Sequence, residues 1–413
     1  MEYFCNEKYQ YHLGEDNLEL LDGILRESQG RGIVVIDKNV LRLYQGLIDR
    51  AFAVGTIGRY VLEGGEKSKN LAQIEALYAK FAQYGADRTT PIFAIGGGVT
   101  GDIVGLAAAT YMRGLPLVQI PTTLLAMVDS SIGGKNGIDL PQGKNLVGTF
   151  YNPRLIVADI RFLSTLPSLE WSNGLAEIFK AALISETGFL SGLEAGCHKY
   201  FGSKGWEENE GDSERFCAKG EGKLSADRAN EVSTGADNGT LPVGLYQSLY
   251  RNHQFLVYLI RSAVEEKLYL VDRDPKDSGG DRFKLNLGHT FAHSLEVASS
   301  YSLPHGRAVG IGMILATSLA LNLGILEEPL MPRMKRLLGF WGLPVSVPAG
   351  LDWKAAVDSL AFDKKRHLGR SVFVVPLAAG KVVKVEGIER ALLERIFNGS
   401  FSTYSGEGHL SVR

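Results

Sequence analysis

An α/β domain built on a mostly parallel sheet, followed by a mainly α-helical domain, is the architecture this sequence predicts. Three observations predict it. Short β-branched runs alternate with helical stretches from about residue 30 to 160, long helical periodicities take over after about 162, and no internal repeat marks a solenoid. The expected division is 1–162 and 163–413.

Four runs in the first half read as buried strands: "GIVVID" (32–37), "PIFAIGGG" (91–98), "LPLVQIP" (115–121) and "RLIVADI" (154–160). Each is short, rich in β-branched and aliphatic residues, and bounded by turn formers. "NLAQIEALYAKFAQYG" (70–85) spaces its apolar residues as an amphipathic helix does. Beyond 162, helical periodicity runs through 169–185, 245–271, 286–300, 306–323 and 329–341. Only "RSVFVVP" (370–376) and "KVVKVEG" (381–387) read as strands there, a hairpin turning at "LAAG". Residues 196–240 are rich in Gly, Ser, Glu and Asn with few large aliphatics, too little apolar area to offset ordering entropy, and read as a surface insertion. The tail from 398 has the same texture.

Composition removes several function classes. With 413 residues, 45% hydrophobic and 22% charged, the chain can bury two cores, and no apolar run approaches the roughly 20 residues of a membrane span. The N-terminus is acidic and polar where a signal peptide needs a basic and then an apolar segment. Cys5, Cys197 and Cys217 are too scattered for a disulfide framework, so a cytoplasmic location is expected. A net charge of -2 and the lack of a dense Lys/Arg block argue against nucleic acid.

Glycine is the outlier, at 49 residues, many of them between 96 and 148. "AIGGGVTGDIVGLAAATYMRG" (94–114) passes from a strand through three glycines into a helix of small residues, a turn that lets backbone N–H groups approach a pyrophosphate. The spacing is not G-x-G-x-x-G, and no acidic residue ends a strand about 20 positions later, so the ordinary dinucleotide fingerprint is absent. "PTTLLAMVDSSIGGKNGIDLPQGKN" (121–145) sets Asp129, Lys135, Lys144 and Asn145 among glycines, a poor core and a good place for phosphates or carboxylates.

"LNLGHTFAHSLEVASSYSLPHG" (285–306) carries three of the eight histidines. His289 and His293 share one helical face, and His305 opens the next apolar helix. In "NGLAEIFKAALI" (173–184), Glu177 and Lys180 also share a face. One Glu and two His suit a catalytic zinc with open positions, and spacing alone leaves open which two of the three imidazoles bind. Arg282 and Asn286 precede His289 on the same periodic stretch, while "AFDKKRHLGRS" (361–371), with Lys364 and Lys365, reads as a charged turn before a strand.

Together these blocks resemble the 3-dehydroquinate synthase family of sugar-phosphate cyclases. "GGGVTGD", "YMRG", "PTTLLAMVDSSIGGK", "GKN", "TLP", "AEIFK", "LNLGHTFAH", "HG" and "DKK" occur in the family's order, over roughly 60–185 and 260–385. The resemblance implies a Rossmann-like first domain binding NAD. It implies a divalent metal, most often Zn2+ with Co2+ possible, on Glu177, His289 and His305, with His293 facing substrate. It implies NAD contacts at Gly97, Gly98, Val99, Asp102, Thr122, Thr123, Asp129, Lys144, Thr165 and Leu166, with Glu66 and Lys69 on the adenosine side. Substrate carboxylate, hydroxyl and phosphate groups would meet Asp129, Lys135, Lys144, Asn145, Lys180, Lys267, Arg282, Asn286 and Lys364 or Lys365. An Arg matching Arg113 reaches the phosphate from a neighbouring subunit, so a homodimer is implied.

The implied reaction, a step of the shikimate pathway, turns 3-deoxy-D-arabino-heptulosonate 7-phosphate into 3-dehydroquinate and phosphate. Transient oxidation by NAD acidifies a C–H, phosphate leaves, the hydride returns, and an intramolecular aldol step closes the ring. Leu169 stands where the family commonly has Arg, Arg307 where Glu is frequent and Ala292 where Gly is, and the interval from Lys267 to Arg282 is one residue longer than usual. The nearest alternatives are a cyclase of the 2-deoxy-scyllo-inosose or 2-epi-5-epi-valiolone synthase type, a metal-dependent alcohol or glycerol dehydrogenase, and a catalytically silent scaffold.

Overall fold

The computed structural model describes residues 2–6, 9–202, 243–366, 371–399 and 411–412. Contacts gather the chain into two compact units, residues 1–182 with 249–285 and residues 183–248 with 286–413.

The first unit is built on a seven-stranded sheet. Its strands are β1 (Glu2–Asn6), β2 (Tyr11–Gly14), β3 (Ile33–Asp37), β4 (Gly58–Leu62), β5 (Ile92–Gly96), β6 (Leu117–Pro121) and, after the separate hairpin β7 (Lys135–Leu140) and β8 (Gly143–Phe150), β9 (Leu155–Asp159). They lie in the order β1-β2-β9-β6-β5-β3-β4, with β1 antiparallel to β2 and all other pairs parallel. Strands β5, β6 and β9 are buried along their whole length, and β3 along all but Asp37, which is why they read as continuous aliphatic runs. The chain runs β3 to β4 outward and then returns to place β5 on the other side of β3. That reversal makes the carboxyl ends of β3 and β5 the switch point where a parallel sheet opens a crevice.

Helices α1 (Leu20–Glu27), α2 (Lys38–Ala51), α3 (Leu71–Gln83) and α4 (Gly98–Thr110) accompany the sheet. Asp37, the last residue of β3, accepts from the N–H of Asn39 at 2.8 Å and caps α2. Asn70 caps α3 by accepting from the N–H of Gln73 at 3.0 Å. Between sheet and helices lies a core that includes Ile33, Val35, Leu77, Phe81, Ile92 and Ile103, all fully buried.

The chain continues through α5 (Ser168–Ile184), α6 (Phe189–Phe201), α7 (Val243–Arg251) and α8 (His253–Arg273). All but the last two residues of α5, and the whole of α8, gather with the sheet unit. The compact units are therefore drawn differently from the division expected at 162/163. The reason is packing: Gly174 of α5 sits against Leu124 and Leu125, and α8 lies on the turn at 126–130.

The second unit contains α9 (His289–Ala298), α10 (His305–Asn322), α11 (Leu330–Phe340), α12 (Trp353–Arg366), the antiparallel pair β10 (Val372–Ala378) and β11 (Lys381–Glu386), and α13 (Arg390–Phe397); Ser411–Val412 adds a short third strand. Helix α10 buries fifteen of its eighteen residues and forms the centre of this unit.

Several expectations change. The stretch 245–271 is two helices, separated where Asn252 caps α8 by accepting from Phe255 N–H at 3.2 Å. The glycine-rich stretch 121–145, expected to present its lysines on loops, instead runs from 135 into the β7–β8 hairpin, where β7 packs on the small residues of α4. The segment through 366, expected as a charged turn, continues as helix α12, whose apolar residues Ala356, Val357 and Leu360 are buried. Residues 196–201 of the expected insertion finish α6, with Cys197 buried, and 203–242 lie outside the described residues.

Candidate active site

In the first unit, β5 ends at Gly96 and α4 begins at Gly98, so the three glycines stand at the sheet's switch point. A Cβ at Gly98 would come within 2.8 Å of Ser130 Oγ, and one at Gly97 within 3.0 Å of Thr123 Cγ2. A side chain at either position would force Ser130 or Thr123 to shift, and the lack of one brings the amino end of α4 against the segment 122–130 that carries Thr122, Thr123 and Asp129. That amino end favours a negative group.

Residues Ala126–Ser130 form a single π-helical turn, a distortion common where a side chain must be aimed. Tyr11, fully buried on β2, donates its hydroxyl to Met127 O at 2.8 Å and holds the turn from below. The turn presents Asp129 to two lysines. Lys267 Nζ, from α8, donates to Asp129 Oδ1 and to its backbone oxygen, both at 2.6 Å, and Lys180 Nζ, from α5, is 4.0 Å from Asp129 Oδ1. Lys180 also pairs with Glu177, one turn earlier on α5. Lys180, Lys267 and Glu177 are buried, while Asp129 keeps part of its side chain open.

The two lysines are driven in opposite directions. Burial is the largest influence on each; at Lys180 the neighbouring Glu177 and Asp129 outweigh it and hold the pKa above the ordinary lysine value. At Lys267 burial prevails over Asp129, and the charge of Lys180 adds to it, so the pKa falls. Asp129 is held below the usual carboxylate range, because Lys267 and Lys180 overcome its own burial.

Arg282 is buried on the Asp281–Asn286 turn. It donates to Pro275 O at 2.8 Å and to Gly133 O at 3.2 Å. Lys135, at the start of β7, pairs with Asp277 at 2.6 Å. The loop between α8 and Arg282 thus holds both cations, folded around buried Asp274, whose carboxylate accepts from the N–H groups of Ser278 and Gly280. Gly133 has φ +91, and a Cβ there would lie 2.7 Å from Arg282 Nη2. Gly133→Ala is expected to cost roughly 1–3 kcal/mol of stability, read from denaturant midpoints, and to displace the guanidinium.

A third cluster joins the turn before α3 to the glycine turn. Lys69, buried, donates to Asp102 Oδ2 at 2.8 Å and to Asn145 Oδ1 at 2.5 Å, with Glu66 Oε1 at 4.0 Å. Burial pushes the Asp102 carboxyl up to about 6, the nearby Lys69 only partly opposing it. A carboxyl raised in the folded state stabilises fold at low pH and loses that contribution as pH rises through its folded value. The stability of the wild type relative to Asp102→Asn is therefore expected to fall between about pH 4 and 6, measured as the difference in Tm across that window.

Thr165 and Leu166 close a 3-10 turn after β9, and the Tyr44 hydroxyl, 2.8 Å from Thr165 Oγ1 and 3.1 Å from Ser164 Oγ, pins that turn. Lys144 is exposed on β8, and Val99 stands half-buried in the first turn of α4. Arg113 is exposed, with a left-handed backbone at φ 67.

In the second unit His289 and His293 face each other along α9 with ring centroids 5.7 Å apart, and His289 and His305 lie 5.6 Å apart. His305 Nδ1 is 3.1 Å from Glu296 Oε1, and His289 Nδ1 is 3.2 Å from Leu287 O. Asn286 is exposed at the end of a 3-10 turn, not on the helix that carries His289, so the expected single periodic face does not extend back to Arg282. The side chains of Lys364 and Lys365 lie outside the described residues. Sequence reasoning missed Asp277 and Tyr44, whose partners lie more than a hundred residues away, and Glu296, nine residues before His305, for which a carboxylate one turn after His293 was a local signal.

The family model of the 3-dehydroquinate synthase N-terminal part matches residues 59–173, and that of the C-terminal part matches 243–366. A 3-dehydroquinate synthase of Symbiobacterium thermophilum is 36% identical over 91% of this chain and 93% of its own. One of Xylella fastidiosa is 36% identical over 86% and 80%. Among solved structures, a 2-epi-5-epi-valiolone synthase of Streptomyces hygroscopicus with NAD+ and Zn2+ bound is similar at a TM-score of 0.75 and 26% identity, covering 97% of this chain and 98% of that one. A probable glycerol dehydrogenase of Sinorhizobium meliloti shares the fold at a TM-score of 0.55 and 15% identity, covering 96% and 98%.

Proposed function

The chain belongs to the 3-dehydroquinate synthase family, and from that premise we propose that it converts 3-deoxy-D-arabino-heptulosonate 7-phosphate to 3-dehydroquinate and phosphate, using NAD and a divalent metal ion. The observation that carries the reading is the cation set of the first unit. Lys180, Lys267 and Arg282 are all buried in the unit that holds the glycine turn, and Lys135 stands close by. Asp129 and Glu177 bring two carboxylates to these three cations, and Arg282 is held by two carbonyl oxygens, an excess of buried positive charge that is costly unless further anions meet it. A substrate bearing both carboxylate and phosphate supplies those anions; a neutral polyol does not.

The donor chemistry fits a metal. Glu177 offers a buried carboxylate, and the Nδ1 atoms of His289 and His305 each face an oxygen, which leaves Nε2 of both rings as the ligand atom. We assign Glu177, His289 and His305 as ligands, with zinc the first candidate and cobalt the second. When bound, NAD and the cation supply a reversible hydride acceptor and a Lewis acid.

The chain's own residues do the rest. Lys180 stays charged and compensates negative charge on the substrate. Lys267, its pKa lowered, gives up a proton at Nζ more readily than an ordinary lysine and can protonate an oxygen that becomes basic. Asp129 orients Lys267 through two acceptors and leaves one carboxylate oxygen for a substrate hydroxyl or the cofactor. Arg282, fixed by two carbonyls, turns its remaining donors to an anion, and Lys135 can leave Asp277 for phosphate.

The remaining assignments rest on the family likeness: Gly97, Gly98, Val99, Thr122, Thr123, Thr165, Leu166, Glu66, Lys69, Asp102 and Lys144 toward NAD; Asn145, Asn286, His293 and Lys364 or Lys365 toward the sugar. Arg113 would serve a partner subunit's phosphate in a homodimer, in the shikimate pathway of the cytoplasm. No helix among the described residues is long and apolar enough to cross a membrane.

The test compares substrates. Phosphate release from the heptulosonate phosphate, with zinc and NAD, is expected to exceed release from hexose or other heptulose phosphates by orders of magnitude. Preference for another sugar phosphate would move the chain to a sister cyclase activity, and NADH formation from glycerol without phosphate release would make it a dehydrogenase.

A further inference from the structure

Asp139 belongs to none of the assignments above, yet it closes a ring through two of them. It lies half-buried on β7 where the hairpin register shifts between Ile138 and Leu140, a bulge that turns its side chain toward the hairpin end. Its carboxylate Oδ1 accepts from the N–H of Asn145 at 2.7 Å, and its own N–H donates to Lys69 O at 2.8 Å. Lys69 Nζ completes the circuit by donating to Asn145 Oδ1 at 2.5 Å. Asn145 pays for its place with a left-handed backbone, φ 53, which the Asp139 carboxylate holds in position.

We propose that Asp139 is a positioning residue that locks Lys69, on the NAD side, and Asn145, on the sugar-phosphate side, into one unit, so that both ligands depend on a carboxylate that touches neither. The inference rests on the functional reading for the identity of the sugar ligand and on the family likeness for the placing of Lys69 toward NAD. A carboxylate serving only the local turn would influence the sugar side alone. The ring predicts that both sides weaken together.

Three variants decide it. Asp139→Ala removes the acceptor, and Asp139→Asn keeps an acceptor oxygen while losing the charge. Asn145→Gly accepts the left-handed backbone and removes the side chain that meets Lys69. Calorimetric titration of NAD into the free protein is expected to show a Kd about 5–10-fold higher for Asp139→Ala and for Asn145→Gly, with Asp139→Asn recovering most of the loss. In turnover, Asp139→Ala is expected to raise KM for NAD and for the heptulosonate phosphate by similar factors, with kcat within about twofold. An unchanged NAD Kd in Asp139→Ala and Asn145→Gly, or an Asp139→Asn as weak as Asp139→Ala, would overturn the proposal. Absence of phosphate release by the wild type would instead sink the functional reading, and the NAD titration would still decide the ring.

Discussion

His305→Ala is expected to lower phosphate release by about a thousandfold or more and to abolish stoichiometric zinc binding. The size follows from what a Lewis acid contributes to charge stabilisation, several kcal/mol, each 1.4 of which is a factor of ten. The side chain is half-buried at the first residue of α10, so its loss leaves the helix core untouched. The melting temperature without metal should therefore match that of the wild type, which separates a ligand role from a folding role. Zinc retained at one equivalent per chain, with activity near normal, would remove His305 from the ligand set. His293→Ala makes the matched comparison: its ring also stands beside His289 but is assigned to substrate, so zinc should remain and KM for the sugar phosphate should rise.

The second large effect is expected at Asp129. Asp129→Asn leaves the Lys267 ammonium, buried on α8, with no carboxylate partner, and leaves Lys180 with Glu177 alone. Removing one partner of a buried pair costs roughly 3 kcal/mol, because the stranded charge keeps its desolvation penalty. Asp129 is itself partly open to solvent, which places the expectation at the low end of such losses. Denaturant midpoints measure it. Activity should fall about a hundredfold or more as Lys267 loses its orientation. The double variant Asp129→Asn with Lys267→Met is expected to regain most of the stability and none of the activity, since it removes the stranded charge along with the proton donor. A double variant no more stable than Asp129→Asn alone would mean that the pair does not carry the energy assigned to it.

Those two sites differ in how much of them the sequence discloses. The central strands β3, β5, β6 and β9 were legible because each is buried for nearly all of its length and so spells an unbroken aliphatic run. Edge strand β4, "GRYVL", alternates exposure and gives too short a pattern to read. The hairpin β7–β8 was hidden by its glycines and lysines: β7 pairs with β8 and packs on the small residues of α4, so its own stretch spells no apolar alternation. Helix α12 was hidden by its charged end.

The histidine cluster was legible as candidate ligands from helical spacing, but the choice between His293 and His305 came from family likeness, not from periodicity. The structure adds the reason that His305 is suited to the role, a carboxylate at Glu296 behind its Nδ1. The ordering of the cation site was not legible at all. The π-turn that aims Asp129, the Tyr11 hydroxyl beneath it and the Asp274 loop that carries Arg282 are products of contacts between segments more than a hundred residues apart, or of backbone geometry that side-chain patterns do not encode.

The proposed reaction turns on a cofactor that is oxidant and reductant in the same turnover. Following phosphate release and nicotinamide absorbance together, with NAD far below the heptulosonate phosphate, tests that most directly. The expected result is many phosphates released per NAD with no lasting rise in NADH. Phosphate release that stops at one equivalent of NAD, or NADH that accumulates in step with substrate loss, would contradict it.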